Sequence, residues 1–488
     1  MSSTNPQNIR TRFAPSPTGY MHIGNLRTAL YGYLFAKAHG GKFILRIEDT
    51  DQERYVKDAV AFIDKSLALA HIIPDEGPDI GGDYGPYVQS ERKAIYKEYA
   101  EKLIASGHAY RCFCDPKEKT VNEGGAYGGY DRTCRDLPAE VIQKNLAEGK
   151  PYVIRQKMPL VGATTFFDLI HGSITIDNSE LEDQILLKRD GMPTYNFANV
   201  VDDHLMAITH VIRGTEYITS APKHVLLYEF FGWEPPAFLH LPPVMGKDAE
   251  GKVSKLSKRH GAASFADLVA EGYLPEAITN YVALLGWAPK SNQEIFTMAE
   301  LIQAFSLDGL SKSPAIFDYG KLDWMNGEYF KQMNPQDFAA EAKKFAGDLP
   351  DYLHAKWEYL AALLQTRIHR YNEIPQEIHF LLEMPPFNAE AFTNKRNKTN
   401  AEKAKAVLPD ALPVLEGIES WTPEAINAAL EAFVAKRGEK KGAIMWPMRI
   451  AVSGQKVTPG GLTEVLYLLG KENSLARTKK TLAKLEQA

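Results

Sequence analysis

The stretch IRTRFAPSPTGYMHIGNLRTALYGYLFAKAHGGKFILRIEDTD, running from Ile9 to Asp51, carries the reading of the fold. Ile9–Phe13 reads as a short strand. Ala14–Tyr20 follows, with Pro15, Pro17 and Gly19, and cannot be helical. From Asn25, a suitable N-cap, apolar side chains recur at Leu26, Ala29, Leu30, Tyr33, Leu34 and Ala38, which is helical spacing. Gly40-Gly41 stops the helix, and Lys42–Ile47 returns as a second strand ending in Glu48-Asp49. A strand–helix–strand unit of this kind builds a parallel sheet. Its ligand crevice lies where the carboxyl ends of the strands face helix N-termini. The proline-rich turn and the two acids are therefore expected to meet in one crevice.

The rest of the chain sets the bounds. Its 488 residues are too many for one ordinary domain. A hydrophobic fraction of 44% and a charged fraction of 24% suit a soluble globular protein with a sizeable core. Met1 to Arg12 is polar and has no apolar core of the signal-peptide kind. No apolar run approaches the roughly 20 residues needed to cross a bilayer. The expectation is a cytoplasmic protein without a membrane partner. Three cysteines in a reducing compartment argue against structural disulfides. Lys and Arg number 56 against 61 Asp and Glu, so bulk charge points to no nucleic-acid partner. The local basic clusters at 252–259, 395–398, 436–441 and 477–484 read singly as solvated faces.

From about Tyr110 to Lys188 the strand–helix alternation breaks, and this stretch holds all three cysteines and the Gly-rich segment Gly124–Gly129. It reads as an insertion. Strand and helix signals resume near 186–195, 207–214 and 221–231, and past Trp324 the chain turns to amphipathic helices. No internal repeat is visible.

Two segments carry chemistry. In Arg12–Asn25, His22 and Gly24 stand just ahead of a helix. A helix N-terminus presents unsatisfied N–H groups to a phosphate. His22 can donate hydrogen bonds to developing charge, and Gly24 leaves room for a flat ring. In Lys255-Leu-Ser-Lys258-Arg259, lysines on a loop can close over a triphosphate. Each segment alone reads as well as a capped helix and a solvated loop. A third constellation, Cys112-Phe-Cys114 with Cys134, can hold thiolates around one tetrahedral ion. It also reads as three reduced thiols, since Asp136 stands where a fourth Cys or His would serve.

Taken together, the first segment resembles the His-x-Gly-His signature of class I aminoacyl-tRNA synthetases, and the second their Lys-Met-Ser-Lys-Ser loop. Pro15-Ser-Pro-Thr-Gly19, with Asn25 in place of the second His, is similar to the bacterial glutamyl-tRNA synthetases. So are Leu45–Asp51, Pro193–Asn199, Val211–Glu216 and Gly272–Glu276. The resemblance is collinear from Arg12 to about Tyr329 and weaker beyond.

The resemblance implies a doubly wound, parallel-sheet α/β (Rossmann-like) catalytic domain over 1–110 and 186–260. It implies an acceptor-binding insertion at 111–185, a stem-contact region at 261–329, and an all-α anticodon-binding region in two subdomains at 330–488. It implies His22, Lys255 and Lys258 as catalytic, and His22, Gly24, Asn25, Glu216, Lys255, Ser257, Lys258 and Arg259 at ATP. Arg12, Ala14, Ser16, Glu48, Tyr195, Asn199 and Arg213 fall to glutamate. Zinc falls to Cys112, Cys114, Tyr130 and Cys134, as in some bacterial relatives. The implied partners are ATP with Mg2+, L-glutamate and tRNA(Glu), with tRNA(Gln) added in a non-discriminating form. A monomer is implied, and so is a requirement for bound tRNA before activation. A dianionic amino acid needs cations, and Arg12 and Arg213 stand at expected strand ends. The rivals are a glutaminyl-tRNA synthetase, a truncated paralogue acting on a tRNA base, and a silent tRNA-binding protein. Ser16, the long C-terminal half, and intact His22, Gly24 and Lys258 respectively argue against them.

Overall fold

The computed structural model describes residues 9–17, 19, 21–51, 56, 58–114, 130–257, 260–261 and 264–487. They form two compact units, Met1–Val269 with Pro275–Tyr319, and Ala270–Leu274 with Gly320–Ala488.

In the first unit, β1 (Arg10–Phe13), α1 (Ile23–Ala38) and β2 (Lys42–Leu45) form the expected strand–helix–strand unit. β1 and β2 are parallel, with Arg10 opposite Lys42 and Phe13 opposite Leu45. The helix starts earlier than Asn25. His22 occupies the N-cap position in an extended conformation, and the Asn25 N–H, inside the first turn, donates to the His22 carbonyl at 2.9 Å. Burial explains the early start, because Ile23 is wholly buried and joins the apolar side of α1. Gly41 does more than stop the helix. A Cβ there would lie 2.2 Å from the Ile9 carbonyl oxygen, so the chain must be glycine where the two strands begin side by side.

The unit continues through α2 (Ala59–Leu69), α3 (Lys93–Ala105), β3 (Ala109–Cys112), α4 (Ala139–Ala147), β4 (Val153–Gln156), β5 (Ala163–Asp168) and β6 (Gly172–Asp177). Then come β7 (Ile185–Leu187), α5 (Tyr195–Leu205), β8 (His210–Gly214), α6 (Ala221–Phe231) and β9 (Ala237–Leu241). The main sheet has the order β2-β1-β8-β9-β5-β6. All its pairings are parallel except the edge hairpin β5–β6. The hairpin lies within 111–185, so that segment is not one separate layer. β5 joins the main sheet beside β9, whereas β3, β4 and β7 make a small antiparallel sheet. Sheet membership crosses the boundary expected at 185 because Asp168 pairs with Phe238 on β9.

Central parallel strands are buried on both faces and normally read as apolar runs. β1 is Arg-Thr-Arg-Phe, yet all four residues are buried. Burial is tolerated because each guanidinium has a carboxylate. Arg10 forks onto Glu76 at 2.8 and 2.9 Å, and Arg12 onto Asp203 at 3.1 Å twice.

The second unit is helical. The helices Pro335–Lys343, Trp357–Gln365, Ala401–Glu416, Pro423–Arg437, Lys441–Ser453 and Leu462–Glu486 contribute to one contiguous apolar cluster running from Phe330 to Leu485. Burial alone does not divide this region into the two subdomains expected.

Candidate active site

A cavity of about 630 Å³ opens at the carboxyl ends of β1, β2 and β8. Of the residues implied for ATP, His22, Gly24, Asn25, Glu216, Lys255 and Ser257 line it. Of those implied for glutamate, Arg12, Ala14, Ser16, Glu48, Tyr195, Asn199 and Arg213 all line it. Lys258 and Arg259 lie outside the described residues, and so does the expected meeting of His22 with Lys258.

The fold explains the convergence. Arg12 and Arg213 stand near the ends of neighbouring parallel strands, Glu48 follows β2, and Tyr195 and Asn199 occupy the start of α5. His22, Gly24 and Asn25 form the N-terminus of α1, where N–H groups point outward. A Cβ at Gly24 would meet no protein atom within 4 Å, so the glycine faces open space beside the cavity.

Beneath the cavity lies a layer of paired charges that sequence reading missed. Arg46 is fully buried, donates to Glu48 Oε1 at 2.9 and 3.3 Å, and donates to Asp203 Oδ1 at 2.8 Å. Asp203 in turn holds Arg12, and Asp202 accepts from Arg92, Gln89 and Tyr96 at 2.7, 2.9 and 2.8 Å. Burial would raise the Asp203 carboxyl, but Arg12 and Arg46 beside it hold it below the ordinary carboxylate range. For Glu48 the balance is opposite. Burial outweighs Arg46 and Arg12 and pushes its carboxyl up. Glu48 Oε1 also accepts from Asn199 at 3.3 Å, while the buried Oε2 has no hydrogen-bond partner among the described residues. That oxygen suits a cation entering the cavity.

Arg213 is the counterpart. Its Nε donates to His240 Nε2 at 3.0 Å, and one terminal nitrogen donates to His224 Nδ1 at 3.0 Å. The other terminal nitrogen, Nη2, is buried without a hydrogen-bond partner among the described residues. Tyr217 and Phe238 lie against its faces at 5.2 and 5.8 Å. Arg12 and Arg46 have carboxylates, whereas Arg213 forms no ion pair among the described residues. An unspent donor and an uncompensated charge suit an incoming carboxylate.

Elsewhere in the lining, Lys255 lies 3.8 Å from Glu216, and His260 accepts from the Ser257 N–H at 3.1 Å. Such a lining can meet a polyphosphate.

Away from the cavity, the sulfurs of Cys112, Cys114 and Cys134 lie within 4.8 Å of one another, with Cys114 and Cys134 at 3.3 Å. Tetrahedral zinc thiolates need sulfurs roughly 3.8 Å apart, so the three fit one ion. The Tyr130 hydroxyl accepts from the Cys134 N–H at 3.1 Å, and Arg155 covers its ring at 3.7 Å. The four residues that the resemblance implies for zinc thus lie together, the three sulfurs as one cluster and the Tyr130 hydroxyl beside Cys134. In the helical unit, Arg367 and Arg370 are spent on Glu377 and on Asp323 with Glu373. Arg449 Nε and Trp446 Nε1, by contrast, are buried without hydrogen-bond partners among the described residues.

Signals for the missed residues did exist. Asp202-Asp203 follows the apolar Val200-Val201, and His240 interrupts Ala237–Leu241. Charges set in apolar runs are buried only when paired.

Comparison with known proteins adds to the geometry. Residues 8–324 match the family described as tRNA synthetases class I (E and Q), catalytic domain, and residues 337–482 match an anticodon binding domain. The chain is 52% identical to the glutamate–tRNA ligase of Clostridium novyi, covering 98% of this chain and 99% of that one. It is 50% identical to that of Clostridium acetobutylicum, with the same coverage. Among solved structures it resembles a glutamate tRNA ligase from Elizabethkingia meningosepticum, with TM-score 0.87 and 36% identity over 98% of this chain and 99% of that one. Motifs, cavity and relatives agree, and the chain belongs to the glutamate–tRNA ligase family of class I tRNA synthetases.

Proposed function

We propose that the chain attaches L-glutamate to the 3′ end of tRNA(Glu) in two steps within the cavity. In the first, the α-carboxylate of glutamate attacks the α-phosphorus of Mg-ATP. A new P–O bond forms and pyrophosphate leaves. In the second, a terminal ribose hydroxyl of tRNA attacks the activated carbonyl and AMP leaves. The observation that carries this reading is the pairing of two unspent buried groups in one cavity. Arg213 offers a donor and positive charge to the substrate's side-chain carboxylate, and Glu48 Oε2 offers an acceptor to its ammonium.

Arg12, Ala14, Ser16, Tyr195 and Asn199 complete the glutamate side. His22, Gly24 and Asn25 at the start of α1, with Glu216, Lys255 and Ser257 in the same cavity, receive ATP. Lys258 and Arg259, outside the described residues, are assigned to the ATP phosphates with them. No covalent nucleophile is needed, because positioning and charge stabilisation supply the acceleration. A zinc ion held by Cys112, Cys114, Cys134 and Tyr130 would staple β3 to the segment that follows it. The segment around it is assigned to the tRNA acceptor end, 261–329 to the stem, and the helical region to the anticodon. Arg449 and Trp446 are its best placed groups for an unstacked base. Among the described residues no helix is long and apolar enough to cross a membrane, in keeping with work on tRNA in the cytoplasm.

The test is aminoacylation of purified glutamate and glutamine tRNAs with labelled glutamate. Charging of tRNA(Glu) is expected. Charging of neither tRNA would reject the proposal, and charging of both would identify the non-discriminating form.

A further inference from the structure

The partners of Arg213 are unusual for a buried arginine, since both are imidazoles. Arginine has no acceptor atom and stays charged, so each ring nitrogen facing it must be unprotonated. That condition sets both tautomers. His240 carries its proton on Nδ1, 2.7 Å from Asp168 Oδ2. His224 carries its proton on Nε2 and donates to Asn196 Oδ1 at 2.9 Å, while the Asn196 amide donates to Gln184 at 2.8 Å. The rings are 0% and 1% exposed, so neither can swing to solvent.

We propose that His240 and His224 are positioning residues that set selectivity for an anionic over a neutral amino-acid side chain. As neutral acceptors they aim the Arg213 fork without cancelling its charge. This rests on the reading of the cavity as a glutamate site and adds how that site refuses glutamine.

Asp168 is kept off Arg213 by its own engagements. One oxygen accepts the His240 ring and backbone N–H groups, and the other accepts the N–H groups of Ile170 and His171 at 2.9 and 2.8 Å. An anion therefore orders the layer with an imidazole between it and the guanidinium. A carboxylate in direct contact, as Asp203 provides for Arg12, would satisfy the fork and leave little preference for a charged substrate. The free Nη2 presents only N–H groups. A carboxylate meets them with oxygens, whereas a carboxamide can turn one oxygen toward them and leaves an NH2 without an acceptor.

The experiment compares His240→Leu, His224→Leu, His240→Gln and His224→Gln with the unaltered protein. The readout is tRNA-dependent pyrophosphate exchange with glutamate and with glutamine. Each Leu variant is expected to lower the glutamate-over-glutamine preference in kcat/KM about tenfold or more, through KM for glutamate. The ATP KM should stay within about twofold, and the Gln variants, which keep an acceptor, should recover most of the preference. Unchanged preference in folded Leu variants, or an equal rise in the ATP KM, would overturn the proposal.

Nitrogen-15 spectra of labelled histidines in the unaltered protein near pH 7 provide a test independent of activity. The ring absent from His240→Gln should be the neutral Nδ1–H tautomer, and the ring absent from His224→Gln the neutral Nε2–H tautomer. The opposite tautomer or an imidazolium at either ring would overturn the proposal even if the Leu variants fail to fold. An unaltered protein that charges no glutamate while showing these tautomers would instead defeat the reading of the site.

Discussion

Replacing Arg213 with methionine separates the work this residue does for binding from the work it does for folding. The side chain is buried, has no carboxylate partner among the described residues, and keeps one terminal nitrogen free. Removing one member of a buried charge pair costs about 3–5 kcal/mol, and in the substrate complex that pair is Arg213 with the glutamate side chain. At 1.4 kcal/mol per factor of ten, kcat/KM for glutamate should fall by about 10² to 10³ or slightly more. Glutamine, which lacks the charge, should lose only about tenfold. Folding should respond differently. The substitution removes a buried cation that no carboxylate offsets and leaves two imidazole acceptors unpaired, at about 1–3 kcal/mol each. These changes oppose each other, so the net loss of stability should stay below about 2 kcal/mol. The assays are tRNA-dependent pyrophosphate exchange over a range of glutamate, and urea unfolding. A variant with an unaltered glutamate KM, or one in which the ATP KM rises as much, would refute the reasoning.

Arg46→Met should show the reverse balance. It strips a cation from Glu48 and Asp203, and urea unfolding should report a loss of about 3–5 kcal/mol, with a near-unchanged midpoint as the contrary result. Lys258→Ala should cut pyrophosphate exchange by orders of magnitude while tRNA binding holds; an unchanged rate would refute its assigned role. Metal analysis of protein purified without chelator should return about one zinc per chain, lost on replacing Cys134, whereas a fully active metal-free preparation would end the zinc proposal. The Glu76 carboxyl is lowered to about 2, chiefly by its hydrogen bond from Arg10 and further by Tyr87. Its folded-state value lies below the unfolded one, so its contribution is full above about 4.5 and is lost as pH falls toward 2. The drop in urea midpoint between pH 5 and pH 3 should therefore be smaller in Glu76→Gln than in the unaltered chain.

The site was more legible in the sequence than its support. Gly40-Gly41 and the spacing from Leu26 to Ala38 report local backbone geometry, and the strand–helix–strand unit follows from them. The helix start was misjudged because Asn25 is a good cap in isolation, while burial of Ile23 favours a start at His22. Arg10 and Arg12 hid the burial of β1, since their partners Glu76 and Asp203 stand 66 and 191 residues away in sequence. Arg46 was concealed in the same way, its partner Asp203 on α5 standing 157 residues away. His224 and His240 meet Arg213 only once β8, β9 and α6 are side by side. The hairpin β5–β6 was set apart for a similar reason. Its pairing with β9 is a tertiary fact that no local pattern carries.

A crystal structure with a non-hydrolysable glutamyl-adenylate analogue tests the central claim most directly. The account predicts the side-chain carboxylate on the free nitrogen of Arg213, the ammonium on Glu48 Oε2, and the adenine beside Gly24 with His22 near the phosphate. An analogue bound with its side chain away from Arg213, or outside the cavity altogether, would contradict it.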